Sequence, residues 1–263
     1  MDKPIVHLSD FIGALPSLER LNLRRCWHIN RLPYLIGKLW SLTELDLFNS
    51  GITELPDSME RLRNLKTLIV YTESELKGIS VLPKLPVSLT SLVILSWSMV
   101  TIPDLSDLIN LNRLMLFTMV RKSSSLELVP DPSPWWLGRL SKLQTLALSI
   151  PHVTNLSPEL GALSQLKFLY LWGCGRLQRI PQISSSVSRL AITSCHSLTT
   201  LDISNLKNLS TLSIVDTPVE DLSGRELLDN NLLKWTIEKK RLIFIMIEDV
   251  VGAVLEDDSY ENI

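Results

Sequence analysis

One six-residue frame, L-x-x-L-x-L, returns along most of the chain and leaves few ways to fold it. It starts at Leu18 (with Leu21 and Leu23) and again at Leu42, Leu65, Leu89, Leu111, Leu143, Leu166, Val187, Leu209 and Leu232. Successive starts lie 24, 23, 24, 22, 32, 23, 21, 22 and 23 residues apart, so eight of the nine steps fall between 21 and 24. The fourth and sixth residues of each frame alternate with neighbours of other character, as a strand with one buried face requires. A unit this short cannot bury its own leucines; only stacking on the next unit closes a core. Most of the 53 leucines among the 263 residues are thereby explained by position rather than by general hydrophobicity.

The period falls within the 20–29 residues of leucine-rich repeats. It predicts an α/β solenoid, a horseshoe of about ten repeats with a parallel sheet on the concave side and short helical or irregular segments on the convex side. Repeats end in apolar-Pro pairs such as Leu32-Pro33, Leu55-Pro56, Ile102-Pro103 and Ile180-Pro181, where proline stops the strand ladder and turns the chain. Residues 1–15 read as an N-terminal flank or partial cap, 16–247 as the repeat domain and 248–263 as an acidic tail. The 32-residue step carries extra residues near 120–134, rich in Ser and Pro, which read as a surface loop. The meagre flank and the apolar stretch 242–247 suggest one part of something larger.

Composition narrows the partners. Lys+Arg 26 against Asp+Glu 28 gives a net charge of −2, which offers no general electrostatic reason to expect nucleic acid or an anionic membrane. No apolar run reaches the length of a membrane span, and residues 1–10 lack the pattern of a secretion signal, so the expected location is the cytoplasm or the nucleus. The sequons at Asn155 and Asn208 are then incidental to repeat positions. No phosphate-cradling Gly-x-x-x-x-Gly-Lys-Ser/Thr loop, Gly-x-Ser-x-Gly elbow or His-Glu-x-x-His helix occurs. The four histidines are scattered, and neither Cys26 with His28 nor Cys195 with His196 has the second pair that a closed zinc site needs. We expect no enzyme, no cofactor and no metal. Cys26, Cys174 and Cys195 all occupy the ninth frame position, which faces the interior of the repeat turn, and read as free thiols.

A solenoid binds through its concave face. Frame positions 3, 5 and 7 lie there, opposite the buried positions 4 and 6. The first two repeats place charges on that face: Arg20 and Arg24, then Glu44 and Asp46, with Arg20 able to pair with Glu44 across neighbouring strands. Phe48, Tyr71, Leu95 and Phe117 form a column at position 7 of four consecutive repeats. Phe168, Tyr170 and Trp172 put three aromatics on one exposed strand face. Solvent-facing clusters of this kind mark contact surfaces, so these eleven residues are the candidate protein-binding site.

Three stretches carry a resemblance: Pro16-Ser-Leu-Glu-Arg-Leu-Asn-Leu-Arg-Arg-Cys26, Leu166-Lys-Phe-Leu-Tyr-Leu-Trp-Gly-Cys174 and the run from Leu190 to Leu201. They resemble the repeats of plant intracellular nucleotide-binding leucine-rich-repeat disease-resistance proteins. The run Pro134–Leu143 and the segment Val219–Leu228 look like the TIR class of that family, near the flax rust-resistance type. A weaker likeness is to Ras-associated leucine-rich scaffolds. The first resemblance implies recognition of a pathogen effector or a host protein, or contact with a neighbouring nucleotide-binding module. Nucleotide binding and NADase activity are not implied, because the chain holds neither module. The alternatives are a cytosolic scaffold that assembles signalling proteins and a repeat-type enzyme inhibitor.

Overall fold

The computed structural model describes residues 8–71, 79–97, 99, 102–118, 133–227 and 234–235. Ten strands form one parallel sheet: β1 (Arg20–Asn22), β2 (Glu44–Phe48), β3 (Thr67–Tyr71), β4 (Ser91–Ser96), β5 (Arg113–Thr118), β6 (Thr145–Ser149), β7 (Phe168–Trp172), β8 (Arg189–Thr193), β10 (Thr211–Val215) and β12 (Lys234–Trp235). Between them β9 (Thr200–Asp202) and β11 (Asp221–Ser223) make a separate two-stranded parallel sheet. Each of the ten strands starts on the third residue of its L-x-x-L-x-L frame. Neighbours pair in the same register, with Glu44 opposite Thr67, Thr67 opposite Ser91 and Ser91 opposite Arg113. The leucine-rich-repeat solenoid expected from the frame is the observed fold.

The buried leucines explain why the register cannot slip. Leu45, Leu68, Leu92, Leu114, Leu146 and Leu169, at frame position 4 of six consecutive strands, are all wholly buried in one core that runs the length of the array. A one-residue shift of any strand would turn its whole set of inward side chains outward.

Five of the six helical segments among the described residues are five-residue 3-10 turns on the convex side: Asp10–Ala14, Tyr34–Lys38, Asp57–Arg61, Trp135–Arg139 and Pro158–Ala162; the sixth, Arg225–Leu227, is a single short turn. The prolines do more than end a unit. Pro33, Pro56 and Pro134 are the N-cap residues of three of these turns, where a missing N–H costs nothing. Four of the five turns carry glycine at the fourth place, and the reason is the next repeat. A Cβ on Gly37 would stand 2.6 Å from the Ser58 carbonyl oxygen and 2.8 Å from the Ser58 Cβ, in the following turn. Only glycine lets adjacent turns stack this closely.

The chain leaves five of the strands through a left-handed residue at frame position 8: Arg25, Asn49, Gly173, Ser194 and Asp216, with φ between 51° and 61°. In the first four of these the N–H reaches across to the next strand, as Asn49 does to the Tyr71 carbonyl at 2.7 Å. The ninth position then dips into the turn. The Cys174 thiol lies 3.8 Å from the carbonyl oxygens of both Leu148 and Trp172, and the Cys195 thiol 3.5 Å from that of Thr193. All three cysteines are free; Cys174 and Cys195 are buried and Cys26 is half-buried. A hydrogen bond with Cys195, and then burial, pushes the Cys174 thiol well up. Asp104 and Asp202 cap their turns by accepting from the N–H groups of Ser106 and Ser204, each at 2.9 Å, whereas Asp221 opens β11.

The expectations for the loop near 120–134, the stretch 242–247 and the tail 248–263 lie almost wholly outside the described residues. No helix among the described residues is long and apolar enough to cross a membrane.

Candidate protein-recognition face

Alternation within each strand sends positions 3, 5 and 7 to the concave side, so parallel, in-register pairing lines them up in rows across the sheet. The charged residues at the start of the array form a compact group. Arg20 and Glu44 are Cα partners on β1 and β2, as are Asn22 and Asp46. The ion pair forms farther along the strand, with Arg24 Nη1 3.4 Å from Asp46 Oδ2. Asp46 also accepts from the Phe48 N–H at 2.9 Å. Burial pushes its carboxyl above the usual carboxylate value, against the opposing pull of that N–H and of Arg24. The Arg24 guanidinium lies over the Phe48 ring at 4.6 Å, and Phe48 stacks on Tyr71 with centroids 4.4 Å apart and planes 10° from parallel. These four side chains form a chain of contacts across β1, β2 and β3.

Beyond Tyr71 the face turns apolar. Leu95, Met115, Phe117 and Ala147 make a second apolar cluster, distinct from the core, against which Tyr71, Val93, Trp97, Tyr170 and Trp172 pack. The position-7 column and the aromatic strand, which look separate in the sequence, are joined: Phe117 and Trp172 meet with ring centroids 6.3 Å apart and planes inclined at 58°. Their strands are not neighbours. Between them stands β6, whose position-7 residue Ser149 lies opposite Phe117, and so small a side chain leaves room for the two rings to meet above it. Phe168 lies to one side, with the Arg189 guanidinium 5.2 Å over its ring.

The structure changes one expectation. Leu95 and Phe117 lie on the concave face but are not solvent-facing; they are only 6% and 5% exposed, and Asp46 only 3%. Rows of large side chains on strands roughly 4.8 Å apart, crowded further by the curvature, cover one another. Phe48, Tyr71, Phe168, Tyr170 and Trp172 are half-buried and form the accessible rim of this band. The rows run across seven strands from Arg24 to Trp172, an arc of about 29 Å at the usual strand spacing. Val93 and Met115 at position 5 and Trp97 at position 9 belong to the same cluster but fall outside the position-7 column that singled out its other members. Apolar residues at position 5 of adjacent repeats were the available indication for the first two.

Among the described residues no group of three His, Cys, Asp or Glu side chains is placed to hold a metal ion. The band presents the half-buried Tyr71, Tyr170 and Trp172 around a covered apolar layer, flanked by a paired arginine at one end and an arginine stacked on a ring at the other.

Comparison with known proteins bears on the fold and its relatives. The family described as "leucine-rich repeat region" matches residues 5–131. Among curated proteins, the disease resistance-like protein DSC1 of Arabidopsis thaliana is 29% identical over 76% of this chain and 14% of its own length. The TMV resistance protein N of Nicotiana glutinosa is 27% identical over 68% of this chain and 20% of its own. The Arabidopsis thaliana protein SUPPRESSOR OF npr1-1, CONSTITUTIVE 1 is 30% identical over 67% and 13%. The chain thus spans a fifth or less of the length of these relatives. Among solved structures, the leucine-rich repeat domain of the type III effector XopL is similar with a TM-score of 0.50 and 18% identity, covering 89% of this chain and 73% of that one. TLR13 in its complex with ssRNA13 gives a TM-score of 0.52 and 20% identity, over 88% and 41%. At such identities the structural likeness is one of fold.

Proposed function

The chain is a leucine-rich-repeat array related to those of plant disease-resistance proteins, and from that premise we propose that it is a non-catalytic protein-recognition domain in plant defence. Its concave face would sense a pathogen effector or a host protein, or contact a nucleotide-binding module, in the cytoplasm or nucleus. The observation that carries this reading is the second apolar cluster. Leu95, Met115, Phe117 and Ala147, with Tyr170 and Trp172 packed against them, lie on the side of the sheet away from the leucine core. The solenoid closes its core at positions 4 and 6 without them. Aromatic side chains gathered outside the core, with half-buried rims, are the composition of an interface centre.

The test compares two tryptophans. Full-length chain carrying Trp172→Ala, on the concave face, and chain carrying Trp135→Ala, which is 59% exposed in a convex turn, are used as bait in plant extract beside the unaltered chain. Proteins retained by the unaltered chain and by Trp135→Ala, but lost with Trp172→Ala, support the concave face. Retention that ignores Trp172 and depends on Trp135 sinks it.

A further inference from the structure

The neutral balance of the whole chain hides a segregated strip. At the edge where the chain enters the sheet, each strand is led in by the residues from two before its frame to the third within it. In β3 to β8 these are residues 63–67, 87–91, 109–113, 141–145, 164–168 and 185–189. They contain Arg63, Lys66, Arg113, Lys142, Lys167 and Arg189, and not one Asp or Glu. The first two strands differ, with Glu19 beside Arg20 and Glu44 at the start of β2. Four successive strands, β5 to β8, contribute one cation each: Arg113, Lys142, Lys167 and Arg189. Arg113 and Arg189 stand on the register line that runs through Thr145 and Phe168, Lys167 comes one residue before it and Lys142 three before, so the four line the entry edge at staggered heights on strands roughly 4.8 Å apart. Lys142, Lys167 and Arg189 are exposed. A groove of about 460 Å³ follows this edge, bounded by Lys66, Asn110, Lys142 and Gln165, and neutral polar or cationic residues make up its whole lining.

The row adjoins the apolar band. Arg113 and Phe117 lie on the same strand, at positions 3 and 7, and Arg189 stacks on Phe168 at the band's margin. The apolar part of the concave face is therefore bordered by cations at the edge where the chain enters the sheet. From β3 to β8 the concave positions themselves carry two arginines and no carboxylate. The geometry points to a partner segment that is apolar and acidic on adjoining sides: a protein segment whose aromatic or aliphatic anchors sit on the half-buried Tyr170 and Trp172, and whose Asp and Glu side chains run along the entry edge held by Arg113, Lys142, Lys167 and Arg189. This inference rests on the concave-face reading above and adds the partner's charge and orientation. Fields from such a strip steer an oppositely charged partner and suppress like-charged ones.

A phage-displayed library of random linear peptides is the probe, selected in parallel on the full-length chain, on a Lys142→Glu/Lys167→Glu double variant and on Trp172→Ala. Both lysines are exposed, and unfolding curves for each variant establish that it folds. The expected result is enrichment on the unaltered chain of peptides that combine Phe, Leu or Trp with Asp or Glu. Their association at low salt slows about tenfold on the charge-reversed variant, the difference shrinks as salt rises, and the peptides are lost on Trp172→Ala. Peptides without acidic bias that bind the charge-reversed variant equally but need Trp172 overturn the charge inference and leave the concave face standing. Peptides indifferent to Trp172 overturn both. Failure to enrich any peptide overturns the inference, as does displacement of selected peptides by single-stranded RNA that binds the same lysines more tightly.

Discussion

Within β7, Leu169 and Trp172 test whether the concave band serves recognition or stability. Leu169 is wholly buried in the leucine core, while Trp172 is half-buried on the opposite side of the sheet. Truncation of a wholly buried leucine to alanine removes its transfer energy and leaves a closed cavity, at a cost of about 3–5 kcal/mol. A tryptophan covers about 200 Å² when fully buried, so the half that Trp172 hides is about 100 Å². Part of this remains covered by the alanine Cβ, and a realistic unfolded chain already hides some of the rest. At about 25 cal/mol per Å² this leaves about 1–2 kcal/mol for Trp172→Ala, including the contact with Phe117. The face is open, so water enters the space and no closed cavity adds to the loss. For a domain of this size each kcal/mol moves Tm by about 2–4 °C, giving about 2–8 °C for Trp172→Ala and about 6–20 °C for Leu169→Ala.

The assay is urea unfolding followed by circular dichroism on both variants, with the m-value monitored, paired with partner retention on the same samples. We expect Trp172→Ala to unfold at nearly the native midpoint and to lose binding, and Leu169→Ala to unfold early with binding intact below its transition. If Trp172→Ala costs as much as Leu169→Ala, the aromatic band is a second structural core and the reasoning that assigns it to recognition fails.

Gly37→Ala forces a Cβ against the backbone of Ser58 in the next convex turn, so it should cost about 1–3 kcal/mol, measured as a lower urea midpoint; a neutral result would show that adjacent turns can separate freely. Asp46 has its folded pKa raised above 3.8, so the folded chain loses stability as pH rises from that value through the raised one. Asp46→Asn removes this dependence, and the stability difference between variant and native chain should shift in favour of Asn across that window and then level off; an opposite slope in pH-resolved unfolding would mean that the Arg24 pair outweighs burial. The pKa of His152 is lowered by burial and then by Arg176, which makes the folded chain harder to protonate there, so stability should fall as pH drops below about 6.5 and His152→Gln should blunt the fall. At neutral pH a thiol reagent should modify Cys26 on the native chain and reach the buried Cys174 and Cys195 only on unfolding; mass spectrometry of the labelled peptides reads the order.

Register was the most legible property of this sequence. The inward leucines recur at a fixed place, and a one-residue slip would expose them all, so the frame alone locates the start of every strand of the ten-stranded sheet, from Arg20 to Lys234, though not of β9 and β11. The ninth-position cysteines followed from the same count. Less legible was the depth at which Leu95 and Phe117 sit. Alternation assigns a face, whereas burial on that face depends on which side chains stand beside them on other strands, and the small Ser149 between Phe117 and Trp172 decides whether two rings meet. The glycines of the convex turns act against the following repeat, a contact some 20 residues away that local propensity does not contain. The cations of the entry edge are scattered in sequence, Arg113 and Arg189 at frame position 3, Lys167 at position 2 and Lys142 just before its frame, so positions 3, 5 and 7 alone do not show them as a group.

A parallel sheet of this kind separates two apolar populations with its own backbone. Positions 4 and 6 face the leucine core, where a single methylene matters to packing. Positions 5 and 7 lie on the other side of the sheet, where Leu95, Met115, Phe117 and Ala147 cover one another and Tyr170 and Trp172 at the margin are half-buried. A substitution at the half-buried Trp172 or Tyr170 should therefore cost the solenoid less than one at Leu169 or Leu171 in the core. The alternation that makes the strand foldable also separates the side chains that hold the solenoid together from those at the margin of the concave face.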